Sequence, residues 1–517
     1  MSATPQVSSG HDRDSADLAK FGYRQELKRS LGTFSSFAVA FSYISPSTGI
    51  FTLFSLGLVT LGGVFIWTWP VVALGQFIIA LNFAEVSSHY PLAGSVFQWS
   101  KYMASRAYSW FTGWIYLFAG IITVTAVVAT LPLALIPALN GLGWHSLGVG
   151  DSNTVLHTQL VFALITLVVI TVLNIYGVRL VAIINNTGVV FEILGMFVFA
   201  LVLLAFHNHQ GFHVITNSGG LHVGPNTFLV AMFMSLFVIY GFDTASTLAE
   251  ETRDPRRAAP KAVLYSIVGA FIIGGVFLLG TLMAIPNLHS AIAGSWGPAN
   301  IIEANFPTGF ATLYLFVVSA AIFVCCLSIL AATIRLGFGM ARDNQLPFSK
   351  PLAKVSPTLH TPVWTCITIA VISAIPFIQY SGAGIIAIAA TAMIYFSYFL
   401  GNLAILRARL RGWPKTTAPF KLGNWGLVVN IVGLLYGGAM LVNFAWPRIQ
   451  SNPTPKQEGL LLNFHIGWLN GIPVLWTVFV FILLIGVLYY LITGRTKQFA
   501  PVVVPADEPV PAPEGAA

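Results

Sequence analysis

The sequence predicts an all-α integral membrane protein with twelve transmembrane helices, and three observations predict it. Of 517 residues, 56% are hydrophobic and only 8% are charged, whereas a soluble domain carries about 25% charged residues. Mean hydropathy is +0.80. Apolar runs of about 20 residues, the length a helix needs to cross a bilayer, recur along the chain. The basic residues between these runs fall almost entirely on one side.

The first 30 residues are polar, end in FGYRQELKRS and contain no apolar core. They read as a cytoplasmic tail, not a signal peptide. Spans follow at 31–57, 61–83, 108–137, 156–175, 180–206, 226–250, 261–285, 309–340, 362–379, 382–407, 425–445 and 472–493. Residues 494–517 are Pro-rich without helical pattern and read as a disordered tail.

One side of this arrangement collects 23 of the 25 basic residues, from Arg13 and Lys20 through Lys101, Arg179, Arg256, Arg335, Arg342 and Arg409 to Lys497. Only Arg448 and Lys456 fall opposite. Positive charge stays inside, so the reading is a multi-pass protein of the cytoplasmic membrane with both termini cytoplasmic. The net charge of +8 is then a topology signal and implies no nucleic-acid partner.

Cys325, Cys326 and Cys366 lie in apolar runs and read as packing residues. His207, His209, His213 and His222 share a Gly/Asn-rich loop without metal-ligand spacing, so no metal is expected. The chain has no HExxH, GxSxG or GxxxxGK[ST] motif. An enzyme or nucleotide-driven pump is therefore disfavoured, and no cofactor is expected.

Two spans carry interruptions. The first contains Ser45-Pro46-Ser47-Thr48-Gly49, where Pro46 removes a donor and Gly49 frees the chain. In hydrocarbon such a break is tolerated only where it lines a cavity or is buried in protein. It predicts two half-helices, with free amides and a positive dipole end aimed at the membrane centre, a seat for a carboxylate. The sixth span breaks near Gly241, before Asp243 and Thr244. Breaks at matching places in two five-span halves, 31–206 and 226–407, predict a 5+5 inverted repeat with a site between the halves. Helices 11 and 12, within 425–493, stand outside it.

Four segments resemble the amino acid–polyamine–organocation superfamily of permeases. These are STGIF (47–51), AEVSSHYPLAGSVFQW (84–99), GFDTASTLAEETRDPRRAAPKAV (241–263) and TIRLGFGMARDNQLP (333–347). The stretch from Phe21 to Thr52 is most similar to the amino acid/choline and 4-aminobutyrate branch. The resemblance implies alternating-access transport of an amino acid or related amine, driven by protons or by exchange. It implies that a substrate carboxylate meets the first break, here Ser45, Ser47, Thr48 and Gly49, and that an ammonium meets carbonyls near Phe237, Tyr240 and Gly241. Phe237 maps onto an aromatic gate. Thr48 and Ser47 replace smaller residues of the family pattern. Ile334 replaces a small hydroxyl residue, leaving Ser328 and Thr333 as candidate coupling hydroxyls.

Intramembrane acids complete the candidates. Glu192 lies thirteen residues beyond Arg179, about 20 Å along the fifth helix and near the bilayer centre. An unpaired carboxylate there costs about 2.5–3.5 kcal/mol, so it protonates, pairs or lines water. Glu192 is expected to carry the coupling proton, the alternative being a permanently neutral, hydrogen-bonded side chain that only packs the fifth helix. Asp243 either orders the sixth break or faces a cationic substrate. Glu250 and Glu251, at the basic end of that span, read as inner-gate ion pairs or as a solvated helix end. Trp114 and Tyr116 are candidate pocket walls or packing residues. An amine permease and a solute sensor on the same scaffold are the alternative readings; Phe237 and Tyr240 would begin the aromatic cage a choline-type ligand asks for.

Overall fold

The computed structural model describes residues 32–144, 147–148, 152–247, 249–380, 382–446 and 474–493. The expected tails at 1–30 and 494–517, and Arg448 and Lys456, lie outside the described residues. Among those described, the architecture is all-α. Ten helical stretches are long and apolar enough to cross a membrane. One of them, Thr33–His89, holds the first two spans, and the shorter apolar helix Val363–Ile378 is the ninth.

The first span is split into Thr33–Ile44 and Pro46–Leu61, and the second is Thr68–His89. The third runs Arg106–Thr130, the fourth Ser152–Tyr176 and the fifth Val178–Phe206. The sixth is the helix Pro225–Val238 followed by single 3-10 turns at Phe242–Ser246 and Ala249–Glu251. Pro255–Met283, Thr308–Arg342 and Val363–Ala374 form the seventh to ninth, and Ala383–Arg409, Gly426–Ala445 and Val474–Thr493 the last three. Pro46, Pro225 and Pro255 each open a helix, where a missing N–H costs nothing and the fixed φ suits the first turn.

Burial separates centre from rim. The most apolar window of the third span is 89% buried, against 11% for the twelfth, so the third lies inside the bundle and the twelfth shows its apolar side to lipid. The two breaks meet in the centre. A Cβ on Gly49 would lie 2.4 Å from Val238 Cγ2, and one on Gly241 would lie 2.0 Å from the Tyr43 ring. Neither position has room for a side chain, and Gly241 also needs its φ of 94°.

Several boundaries differ from those the sequence predicts, the second span running Thr68–His89 where 61–83 was expected, and two of the differences bear on the breaks. The first break falls at Ser45 (φ 35°, ψ 85°), earlier than Gly49, because Pro46 opens the second half-helix, where its fixed φ and missing N–H suit the first turn. The sixth span does not resume as an α-helix before residue 251; its inner half is 3-10 turns around Asp243, whose hydrogen bonds come from other helices.

Candidate functional site at the two broken spans

At the first break, Ser45 sits in the left-handed region, an uncommon conformation for a residue with a side chain. Its hydroxyl accepts from the Thr48 amide at 3.4 Å, and its carbonyl accepts from the Gly49 amide at 3.2 Å. The remaining donors turn to the fifth span. Ser45 Oγ and Ser47 Oγ each donate to Glu192 Oε1 at 2.7 Å, and the Ser47 amide is aimed at the same carboxyl group. Glu192 is 2% exposed, and its Oε2 has no partner. The positive end of helix 46–61 thus already faces a carboxylate carried by the protein itself. Cys325 lies against the same turn, with Sγ 3.7 Å from the Tyr43 carbonyl.

The sixth break holds its acid differently. Asp243 accepts short hydrogen bonds from the hydroxyls of Ser95 and Tyr116 at Oδ2 and of Tyr398 at Oδ1. The Tyr398 hydroxyl in turn accepts from the Gly241 amide at 2.9 Å. Asp243 is fully buried. Its hydroxyl partners lie on the third span, the tenth span and the helix Ser95–Met103, whereas the sequence reading offers backbone amides or a cationic substrate as its partners.

Between the breaks lies a cluster of rings and hydroxyls. Tyr43 meets Tyr240 edge-on at 6.2 Å, and Tyr240 meets Phe237 at 5.9 Å. Thr123 of the third span, whose hydroxyl donates to the Ala119 carbonyl at 2.7 Å, lies beside Tyr43 and Tyr240. Ser45, Ser47, Thr48, Phe237 and Tyr240 are all buried. Packed contacts flank the site at both ends. On one side, the loop around Val214 to Ser218 lies on Gly62 and Gly63, with the Gly63 amide donating to the Asn217 carbonyl at 2.9 Å.

On the other, basic end, carboxylates and cations interlock. Glu251 pairs with Arg335 at 2.9 Å, Glu250 with Arg342 at 3.4 Å, and Lys101 with Asp343 at 2.7 Å. Glu85 pairs with Arg409. Glu250 also accepts from the Ala93 amide at 3.3 Å. These pairs are largely removed from solvent, where breaking one partner costs more than at an exposed surface.

Other candidates stand apart. Thr333 Oγ1 donates to the Ile329 carbonyl of its own helix, and Ser328 Oγ has no partner. The two hydroxyls do not share a site. Trp114 donates to the Ile482 carbonyl and so packs on the twelfth span. Among the described residues no group of three His, Cys, Asp or Glu side chains converges as for a metal. Tyr43, Ser95, Thr123, Cys325 and Tyr398 enter the site unannounced by the sequence, because lone polar residues in apolar helices carry no spacing signal. Arg409 was legible only as a topology charge, and Arg335 and Arg342 as topology charges within a family-like segment.

A buried pair of touching helix breaks in a many-span bundle defines a membrane permease of the broken-helix kind. The sequence profile of the amino acid permease family matches residues 31–470, and the chain belongs to that family. Family membership makes it a permease and not an enzyme. Similar proteins include the amino-acid permease BAT1 of Arabidopsis thaliana, 28% identical over 487 residues that cover 86% of this chain and 90% of that one. The glutamate/serine transporter AimA of Bacillus subtilis is 24% identical over 82% of this chain and 78% of its own. The branched-chain amino acid permease BcaP of the same organism is 28% identical over 67% and 73%.

Proposed function

We propose that the protein is a secondary active transporter that moves an amino acid or related small amine across the cytoplasmic membrane by alternating access. The halves 31–206 and 226–407 are the two inverted repeats, and the basic end, with both chain termini, faces the cytoplasm. The carrying observation is the contact of the two breaks, which sets the hydroxyls of Ser45 and Ser47 and the rings of Tyr43, Phe237 and Tyr240 around one buried point. Access from the basic end requires the Glu251–Arg335 and Glu250–Arg342 pairs to part, and their re-formation shuts that side.

Glu192 is the coupling group in this reading. A substrate carboxylate and the Glu192 carboxylate compete for the same serine hydroxyls. Two anions sharing one seat is costly, so a carboxylate-bearing substrate enters with Glu192 protonated or displaced. That links substrate binding to proton uptake. The names of the relatives, a glutamate/serine and a branched-chain amino acid transporter among them, support amino acids as the substrate class. A permease for amines without a carboxylate is the second reading, favoured by the anion Glu192 places at the break and by the ring cluster beside it.

Uptake of radiolabelled alanine, serine, glutamate, leucine and choline into proteoliposomes, with and without an imposed proton gradient, tests both. Gradient-stimulated amino acid uptake is expected. Choline uptake alone selects the amine permease, and ligand binding without any uptake selects a sensor.

A further inference from the structure

In an apolar interior, an amide with no partner costs about 2–7 kcal/mol, so such groups are kept where ordered water reaches them. Several such groups lie together along the fifth span. Val181, Asn185, Val189 and Glu192 are all buried, and their spacing puts them on one helix face. Neither amide atom of Asn185 has a partner, and neither does Glu192 Oε2. This face meets the eighth span. A Cβ on Gly188 would lie 2.5 Å from Val324, and one on Gly195 would lie 3.2 Å from Val317. The two helices therefore run antiparallel, with Asn185 level with Leu327 and Ser328. Ser328 Oγ is buried and unpartnered, as is Ser42 Oγ, three residues before Ser45 on the first span.

Toward the basic end the same two helices border a cavity of about 210 Å³, lined among others by Asn174, Val181, Glu251, Ala331, Arg335 and Thr361. Val181 is about one turn from Asn185, and Ala331 about one turn from Ser328. The polar file thus begins where the cavity ends.

We propose that Asn185, Ser328 and Ser42 line a file of ordered waters joining this cavity to the free oxygen of Glu192, and that Glu192 exchanges its proton with the basic side of the membrane along it. The inference rests on the proton role of Glu192 proposed above. Asn185 and Glu192 are separated by about 10 Å of helix, which two or three waters bridge once the side chains are counted. A proton entering the file displaces another at its far end, so no covalent change is left behind. Asn185, able to donate and accept, orients the waters without titrating. The ionisable groups facing Glu192 are Tyr314 and Cys325 of the eighth span. The first span faces it with Ser45 and Ser47, and no charged side chain of the fourth or seventh span acts on it among the described residues. Arg335, Glu251 and His360 stand at the cavity.

The test follows the carboxyl infrared band of the full-length protein in lipid nanodiscs after a pH jump, assigned to Glu192 by its loss in Glu192→Gln. Asn185→Leu and Ser328→Ala should slow its appearance about tenfold, and Asn185→Ser, which keeps a polar group, should restore most of the rate. Unchanged rates in the first two variants overturn the route while leaving the proton role of Glu192 intact. A protein with no Glu192-dependent band overturns the proton role, and the route with it. Should Asn185→Leu not fold, Ser328→Ala carries the same readout.

Discussion

The two breaks each bury a carboxylate, and they treat it in opposite ways. Asp243 is saturated: three hydroxyls from three elements donate to its two oxygens, and one of these hydroxyls also takes the Gly241 amide. Glu192 is half-satisfied, with two serine hydroxyls on one oxygen and none on the other. A saturated buried acid is a staple, because moving it breaks every bond at once. A half-satisfied one can change protonation or partner at small cost. Under the proposed function, the sixth break holds its shape and the first exchanges what sits in it.

The comparison breaks most readily at Asp243. Asp243→Ala strands three buried hydroxyls and should cost about 3–5 kcal/mol, read as loss of a cooperative melt in detergent. A native-like melt would refute the staple. Next comes Gly241→Ala, which forces a Cβ into the Tyr43 ring at a positive φ and should cost about 2–3 kcal/mol. Tyr43→Leu in the same chain should recover part of that loss in a double-mutant cycle.

Glu192→Gln keeps the acceptor for both serines, so its melt should shift by no more than about 1 kcal/mol. Its signature is functional: uptake of whichever labelled substrate the native protein accepts should become flat with pH. Uptake that keeps its native pH profile removes Glu192 from coupling. The smallest effects pit single donors against each other. Tyr116→Phe, which removes one of the three donors to Asp243, should cost about 1 kcal/mol, and Ser47→Ala, beside an acid with an oxygen to spare, less than that. Equal losses in paired thermal melts would erase the distinction between the two sites.

Much of this fold was readable beforehand because hydropathy and chain breaks are local. The twelve spans follow from runs of apolar residues, and Pro46 and Gly241 mark the interruptions within a few residues. The Ser45 turn precedes Gly49 because Pro46, with its fixed φ and no N–H, fits the first turn of the second half-helix. The 3-10 inner half of the sixth span was not legible, since it is shaped by Ser95, Tyr116 and Tyr398 from distant segments. The role of Glu250 and Glu251 was readable as charge near charge, whereas the choice of Arg342 and Arg335 as partners was not.

What the sequence determined by itself was the solvent each segment lives in and the points where a helix must stop, since both depend on neighbours along the chain. What only the tertiary structure decided was which way each helix turns its polar residues. Glu192 and Ser45 are 147 residues apart, and rotating either helix about its axis by a third of a turn would separate them without altering a single hydropathy value. The packing of small residues, Gly49 on Val238, Gly188 on Val324 and Gly241 on Tyr43, sets those rotations. It brings the carboxylate to the break.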